Sequence, residues 1–130
     1  MIDFRPITNY NIKLGIGQCV AMPGYKLGIA VPVMHQCDLY FDQIVNDFLD
    51  QNFINRKTRY RVELKNKSSI EVFLASDTAR GKRFHELIIS PFINHDVVWN
   101  CLAYMFARPY NELEYKEYLK ERANYHQIHN

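Results

Sequence analysis

No stretch of about 18 consecutive apolar residues occurs in this chain of 130 residues, so no membrane helix is expected. The first ten residues, MIDFRPITNY, contain no apolar core of a secretory signal and carry an aspartate at position 3, which predicts a cytoplasmic location. Cysteine is scarce and odd in number. Cys19, Cys37 and Cys101 stand far apart in apolar surroundings, a pattern of buried free thiols rather than a disulfide framework. None of them sits in a local nucleophile signature. Paired metal-ligand spacing is also missing. His35-Gln36-Cys37 with His85 or His95 is the nearest set, and no second short-spaced pair completes it, so no metal and no cofactor are expected. His126 and His129 fall in a tail expected to fray. There is no low-complexity segment and no internal repeat. A pair of carboxylates placed for acid–base work is not evident: Asp77 near Arg80 reads as an elbow salt bridge or Asx-turn.

The net charge is small, at +2, but its distribution is uneven. Residues 56–83 carry nine basic and three acidic groups, whereas 1–55 and 84–130 are each weakly acidic. Half of the twelve residues from Arg56 to Lys67 are Lys or Arg. Such a patch suits phosphate or an acidic protein surface; the plain alternative is a solvated sheet face.

Apolar residues make up 48% of the chain, enough for one folded domain over 1–130. Residues 12–22 and 26–33 are short apolar runs around Met22-Pro23-Gly24-Tyr25. Their β-branched content predicts a hairpin, although the first run could instead lead into a helix. Residues 36–52 predict the one long helix, with Leu39, Phe41, Ile44, Val45, Phe48 and Leu49 on its apolar face and Asp38 near its N-terminus. Asp42, Asp47 and Asp50 fall on its polar side. Residues 58–65 alternate strictly, with Tyr60, Val62 and Leu64 on one side and Arg59, Arg61 and Lys65 in a row on the other. Asn66-Lys67-Ser68 turns this strand into another over 69–75, and 86–90 is a further strand. Asn94 is the candidate N-cap of a helix over 95–107, and a charged helix over 110–125 follows Pro109. Tyr104, Tyr110, Tyr115, Tyr118 and Tyr125 suit either a protein interface or helix packing. The expected fold is α/β or α+β: a mixed sheet of four to six strands, one long helix and a C-terminal helical pair. Its last part, 110–130, is expected to be a peripheral helix and frayed tail.

From Asn66 to Ile93 the chain runs strand, polar elbow (Ser76, Asp77, Thr78), basic turn (Arg80, Gly81, Lys82, Arg83) and strand. This order resembles the region around the second nucleotide motif of the viral genome-packaging ATPases, the terminase large subunits. The resemblance extends over roughly Tyr25 to Asn94. In that family the second strand ends in two acidic residues that handle magnesium and water; here it ends in Ser90-Pro91. The nearest phosphate cradle is Gly15-Ile16-Gly17-Gln18-Cys19, with Gln18 where the lysine belongs and Cys19 where the hydroxyl belongs.

The resemblance therefore implies a reduced, non-catalytic core, phage-encoded and located in the host cytoplasm, that binds a protein partner. The alternative is a nucleic-acid or phosphate-ligand binder, and the second alternative a nucleotide hydrolase fragment. The candidate anion- or partner-binding residues are Arg59, Arg61, Lys65, Arg80, Lys82 and Arg83. The turn holding the last three repels itself, which an acidic partner would relieve.

Overall fold

The computed structural model describes residues 4–75, 83–94, 96 and 97. Strand β1 (Phe4–Pro6) leads into helix α1 (Asn9–Ala21). Thr8 is extended, and its hydroxyl accepts the Asn11 N–H at 3.0 Å, which sets the start of the helix. Ile12, Ile16 and Cys19 recur at four- and three-residue steps and are buried in the core. This corrects the strand expected over 12–22. The β-branched residues favoured a strand, but the N-cap and the helical spacing of the buried side chains prevail. Met22 is extended and Pro23 cannot continue the helix, so Met22-Pro23-Gly24-Tyr25 links α1 to the next strand instead of turning a hairpin. Gly24 takes φ +76°, which glycine adopts without strain.

Strand β2 (Lys26–Val31) is buried from Leu27 onward, as befits a central strand covered on both faces. Helix α2 (Met34–Gln43) continues without a break into a π turn, Ile44–Phe48. The Leu49 N–H reaches back five residues to the Ile44 carbonyl at 2.9 Å. That extra residue brings Ile44, Val45 and Leu49 all inward. The helical segment thus ends short of the expected 52, and Leu39, placed on the apolar face by the sequence, is 59% exposed. A short 3₁₀ turn, Gln51–Phe53, capped by the Asp50 carboxylate, delivers the chain to β3 (Ile54–Thr58). β4 (Arg61–Leu64), β5 (Ser69–Leu74) and β6 (Glu86–Ile89) complete the sheet.

Among the described residues the sheet has six strands, in the order β1-β6-β2-β5-β4-β3. The pairs β1–β6, β6–β2 and β2–β5 are parallel, and β5–β4 and β4–β3 are antiparallel. The fold is therefore mixed α/β, with two helices among the described residues where one long helix was expected there. The expected C-terminal pair, and with it the five tyrosines of 104–125, lies outside the described residues. Asn94 accepts the Asp96 N–H at 2.8 Å, as an N-cap does. Among the described residues no helix is long and apolar enough to cross a membrane.

The two sheet faces differ. Leu27, Ile29, Val31, Ile70, Val72, Val62, Leu64 and Ile88 share one core with both helices. Each such fully buried side chain contributes about 1.5–3 kcal/mol. Gly15 lets α1 lie close on β2: a Cβ there would stand 2.8 Å from a Leu27 methyl. The register puts Gly28, Ala30, Ser69, Glu71 and Phe73 on the opposite face. Phe84 lies over Gly28, where a Cβ would come within 2.7 Å of its ring, and stacks on Phe73 at 5.3 Å.

The strand expected over 58–65 is two strands joined by a turn. β3 pairs with β4 through Thr58–Arg61, and Arg59-Tyr60 is the two-residue loop between them. Tyr60 takes φ +64°, so it cannot extend β4. The turn at Asn66-Lys67-Ser68 and the hairpin β4–β5 are as expected.

Candidate partner-binding face

The face of the sheet away from the helices carries a stripe of charge across four strands. A register shift between Ile54 and Arg56 sets its outer end. Ile54 pairs with Leu64 and packs against the core, while Arg56 pairs with Glu63 and Thr58 with Arg61 on the opposite face. Without the extra residue Asn55, Ile54 and Arg56 would share one face. Arg56, Thr58, Arg61 and Glu63 line an open cleft of about 130 Å³. Arg61 also lines a second cleft of about 160 Å³ with Lys26, Ser69, Glu71, Arg83 and Phe84. The two adjoin at Arg61 and make one shallow surface of four cations and two carboxylates. Neither Arg56 nor Arg61 forms a salt bridge among the described residues.

The base of the stripe is held firmly. The His85 N–H donates to the Lys26 carbonyl at 2.8 Å, and the Lys26 N–H donates to His85 Nδ1 at 3.0 Å. The His85 ring stacks on Tyr25 at 5.3 Å. Tyr25 in turn donates to the buried Glu86 at 3.0 Å, and Arg5 stands 3.5 Å from the same carboxylate. These contacts fasten β6 and β1 to β2 beside Lys26.

Of the residues expected to bind, Arg61 and Arg83 meet in the second cleft. Arg59 and Lys65 do not join them, which corrects the expected row along one strand. Arg59 lies in the hairpin loop and stacks over the Tyr60 ring at 4.9 Å, donating to its hydroxyl at 3.1 Å. Tyr60 in turn donates to Asp38 of α2 at 2.7 Å and meets Phe41 edge-on. Arg59 is thus engaged on the helical side. Lys65 is exposed beyond the end of β4, at the opposite end of the hairpin from Arg61. Arg80, Lys82 and Asp77 lie outside the described residues. The sequence reading missed Lys26 and Arg56 as members of the stripe. Arg56 was visible in the basic run, but only the bulge decides its face. Lys26 is brought in by the parallel pairing of β2 with β5, which has no local signal.

The other motifs singled out in the sequence take the following places among the described residues. Gly15-Ile16-Gly17-Gln18-Cys19 lies inside α1, so its N–H groups serve the helix and cannot cradle phosphate. Cys19 and Cys37 are buried free thiols, while Cys101 lies outside the described residues. Burial pushes the Cys19 thiol up to about 12, with Glu86 adding to the rise. Burial, and then Asp38, also raises Cys37. Neither is poised as a thiolate nucleophile. His35 is exposed on α2, His85 immediately precedes β6, and His95 lies outside the described residues; among the described residues no three His, Cys, Asp or Glu side chains converge on a metal position. Ser90, at the end of β6, accepts the Phe92 N–H at 3.3 Å and the Ile93 N–H through its carbonyl at 3.2 Å, so this corner is a turn without a carboxylate. No family model matches the chain, and neither a curated protein nor a solved structure matches it.

Proposed function

We propose that this chain is a non-catalytic binding protein and that the charged sheet face receives a protein partner of acidic character. One observation carries the reading: Arg56 and Arg61 stand without salt bridges among the described residues on a shallow surface that continues through Lys26 to Arg83. The clefts are far smaller than the roughly 300–1,000 Å³ of small-molecule sites. They lie on a face and toward the N-terminal ends of β2, β5 and β6. Nucleotides in open α/β sheets bind instead at the carboxyl ends of the strands. A wider cleft of about 560 Å³ lies between α1 and α2, but Asp42 and Asp47 line it and, among the described residues, no cation does, so it is unsuited to an anion.

Glu63 and Glu71 favour a protein over nucleic acid. A phosphate backbone offers only acceptors and would meet both carboxylates, whereas a protein supplies donors as well. The reading includes a reduced packaging-ATPase-like core of viral source, supported by the order β2, α2, β4–β5 hairpin and β6 along the chain.

A photo-crosslinking residue placed at Glu63, and another at Asp47 on the helical side, test the proposal in the source cells. Protein adducts from position 63 and none from 47 are expected. Nuclease-sensitive adducts at 63 would move the function to nucleic-acid binding. Adducts only from 47 would place the interface on the helices.

A further inference from the structure

We infer that the free edge of β3 is a docking site for an extended acidic segment of the partner, which adds to the sheet as a seventh strand. The inference rests on the protein-binding reading and names its mode. β3 ends the strand order, and β4 is its one neighbour among the described residues. Asn55, Arg56, Lys57 and Thr58 are all exposed. Among the described residues, no backbone hydrogen bond from another segment reaches these four. In a two-residue hairpin the pair flanking the loop, here Thr58–Arg61, is the hydrogen-bonded one. The next pair, Lys57–Val62, is then non-bonded, so Lys57 turns its N–H and C=O outward. An exposed edge of this kind is a template for another strand.

Charge decides which strand. Arg56 faces the polar side and Lys57, paired with Val62, the helical side. A strand laid along β3 therefore meets a cation on each of its own two faces. A second copy of β3 would bring Arg56 and Lys57 against Arg56 and Lys57, at about 1 kcal/mol of repulsion per close pair in water. The edge thus resists self-pairing while it accepts carboxylates. It also discriminates against nucleic acid. The outward Lys57 carbonyl needs a donor, which a peptide N–H supplies and a phosphate does not. The acidic side chains on the polar side of the added strand would continue onto Arg61, so the edge and the stripe form one surface.

The probe is a fluorescein-labelled peptide of repeated Glu-Glu-Thr-Thr, about ten residues long, enough to span a strand and to carry carboxylates on both of its faces. Its binding is measured by anisotropy against the whole chain. A second peptide carries N-methyl groups along its centre, which keeps its charge and removes its ladder donors. Lys57→Ala removes the lysine charge alone; Lys57→Pro removes the charge and the outward N–H. The expected result is that N-methylation weakens binding about tenfold and that Lys57→Pro weakens it clearly more than Lys57→Ala. Circular dichroism checks that Lys57→Pro keeps its fold, and the N-methyl comparison is independent of that variant. Equal binding of the two peptides would overturn strand addition and leave a charge-only surface, with the protein-binding reading intact. No binding of either peptide would overturn the acidic-strand inference alone. Tighter binding of an oligothymidylate of equal charge, abolished by Arg56→Ala with Arg61→Ala, would overturn both.

Discussion

Asn66 does more for this fold than its place in a three-residue turn suggests. Its side-chain amide donates to the carbonyls of Cys19 and Val20 at 2.8 and 3.1 Å, two of the orphan acceptors at the end of α1. Its oxygen accepts the Ser68 N–H at 3.0 Å and hydroxyl at 2.6 Å. One residue thus ties the end of a helix to a β-turn 46 and 47 positions away in sequence. Asn66→Ala should lower stability by about 1–3 kcal/mol, because it strands these partly buried groups. Asn66→Asp should recover part of that, since it keeps the turn acceptors and loses only the donors. Urea unfolding of the three proteins measures the difference, and an Asp variant no better than Ala would show that the helix contacts dominate.

Cys19 carries a pH dependence of its own. Its thiol is held at about 12 in the folded protein against an ordinary 9.0, so the folded state grips the proton more tightly than the unfolded chain. The stabilisation is complete below about pH 9 and is lost as pH rises toward 12, at up to about 1.4 kcal/mol per pH unit. The wild type should therefore lose stability between about pH 9 and 11 more steeply than Cys19→Ala. Parallel slopes in denaturant unfolding across that range would count against a buried thiol at this position.

At the scale of elements, α1 is the informative case. Gly17 sits inside the helix, and a Cβ there would meet nothing within 4 Å. Gly17→Ala should raise stability by about 0.5–1 kcal/mol, the usual gain when a mid-helix glycine gains a methyl group. Were this segment a phosphate-binding loop, the same change would do no such thing, so a thermal melt separates the two. The hairpin β3–β4 shows how one bulge sorts function from core. Asn55 shifts the register so that Ile54 goes inward and Arg56 outward. The loop beyond it is pinned by Tyr60, whose hydroxyl donates to Asp38 and whose ring packs on Phe41. That contact offsets the cost of a positive φ at a bulky residue.

For the whole molecule, the proposed reading predicts binding without turnover. The chain should release no phosphate from ATP with magnesium above a buffer control, because the candidate cradle is helical and Ser90-Pro91 ends β6 without a carboxylate. Magnesium-dependent hydrolysis that is lost in Arg80→Ala would contradict this. Neutralising the stripe should act on binding and not on folding. Arg56→Ala with Arg61→Ala should change the unfolding free energy by no more than about 0.5 kcal/mol, as exposed unpaired cations do.

Several elements were legible in the residues themselves. The alternation of 61–64 and the apolar runs at 69–74 and 86–89 are short-range patterns, and each became a strand. The three- and four-residue spacing around Ile44, Val45 and Phe48 read as helix, and it is helical. The turn chemistry of Asn66-Lys67-Ser68 fixed one hairpin. Local pattern succeeds there because the period of a buried face depends only on backbone geometry. It failed at α1, where Ile12, Ile16 and Cys19 had the right spacing but lay among β-branched residues and two glycines. Thr8, four residues before Ile12, was the unused signal. The Arg59–Lys65 row failed because a positive φ at Tyr60 leaves Arg59 in the hairpin loop and β4 ends at Leu64, before Lys65. The sequence alone determined how many cations this segment carries. Which of them share a surface depends on long-range pairing, because β2, β5 and β6 pair across about 40 to 60 residues of chain. Those pairings are chosen by burial in a common core, and it is they that carry Lys26 and Arg83 to the side of Arg61.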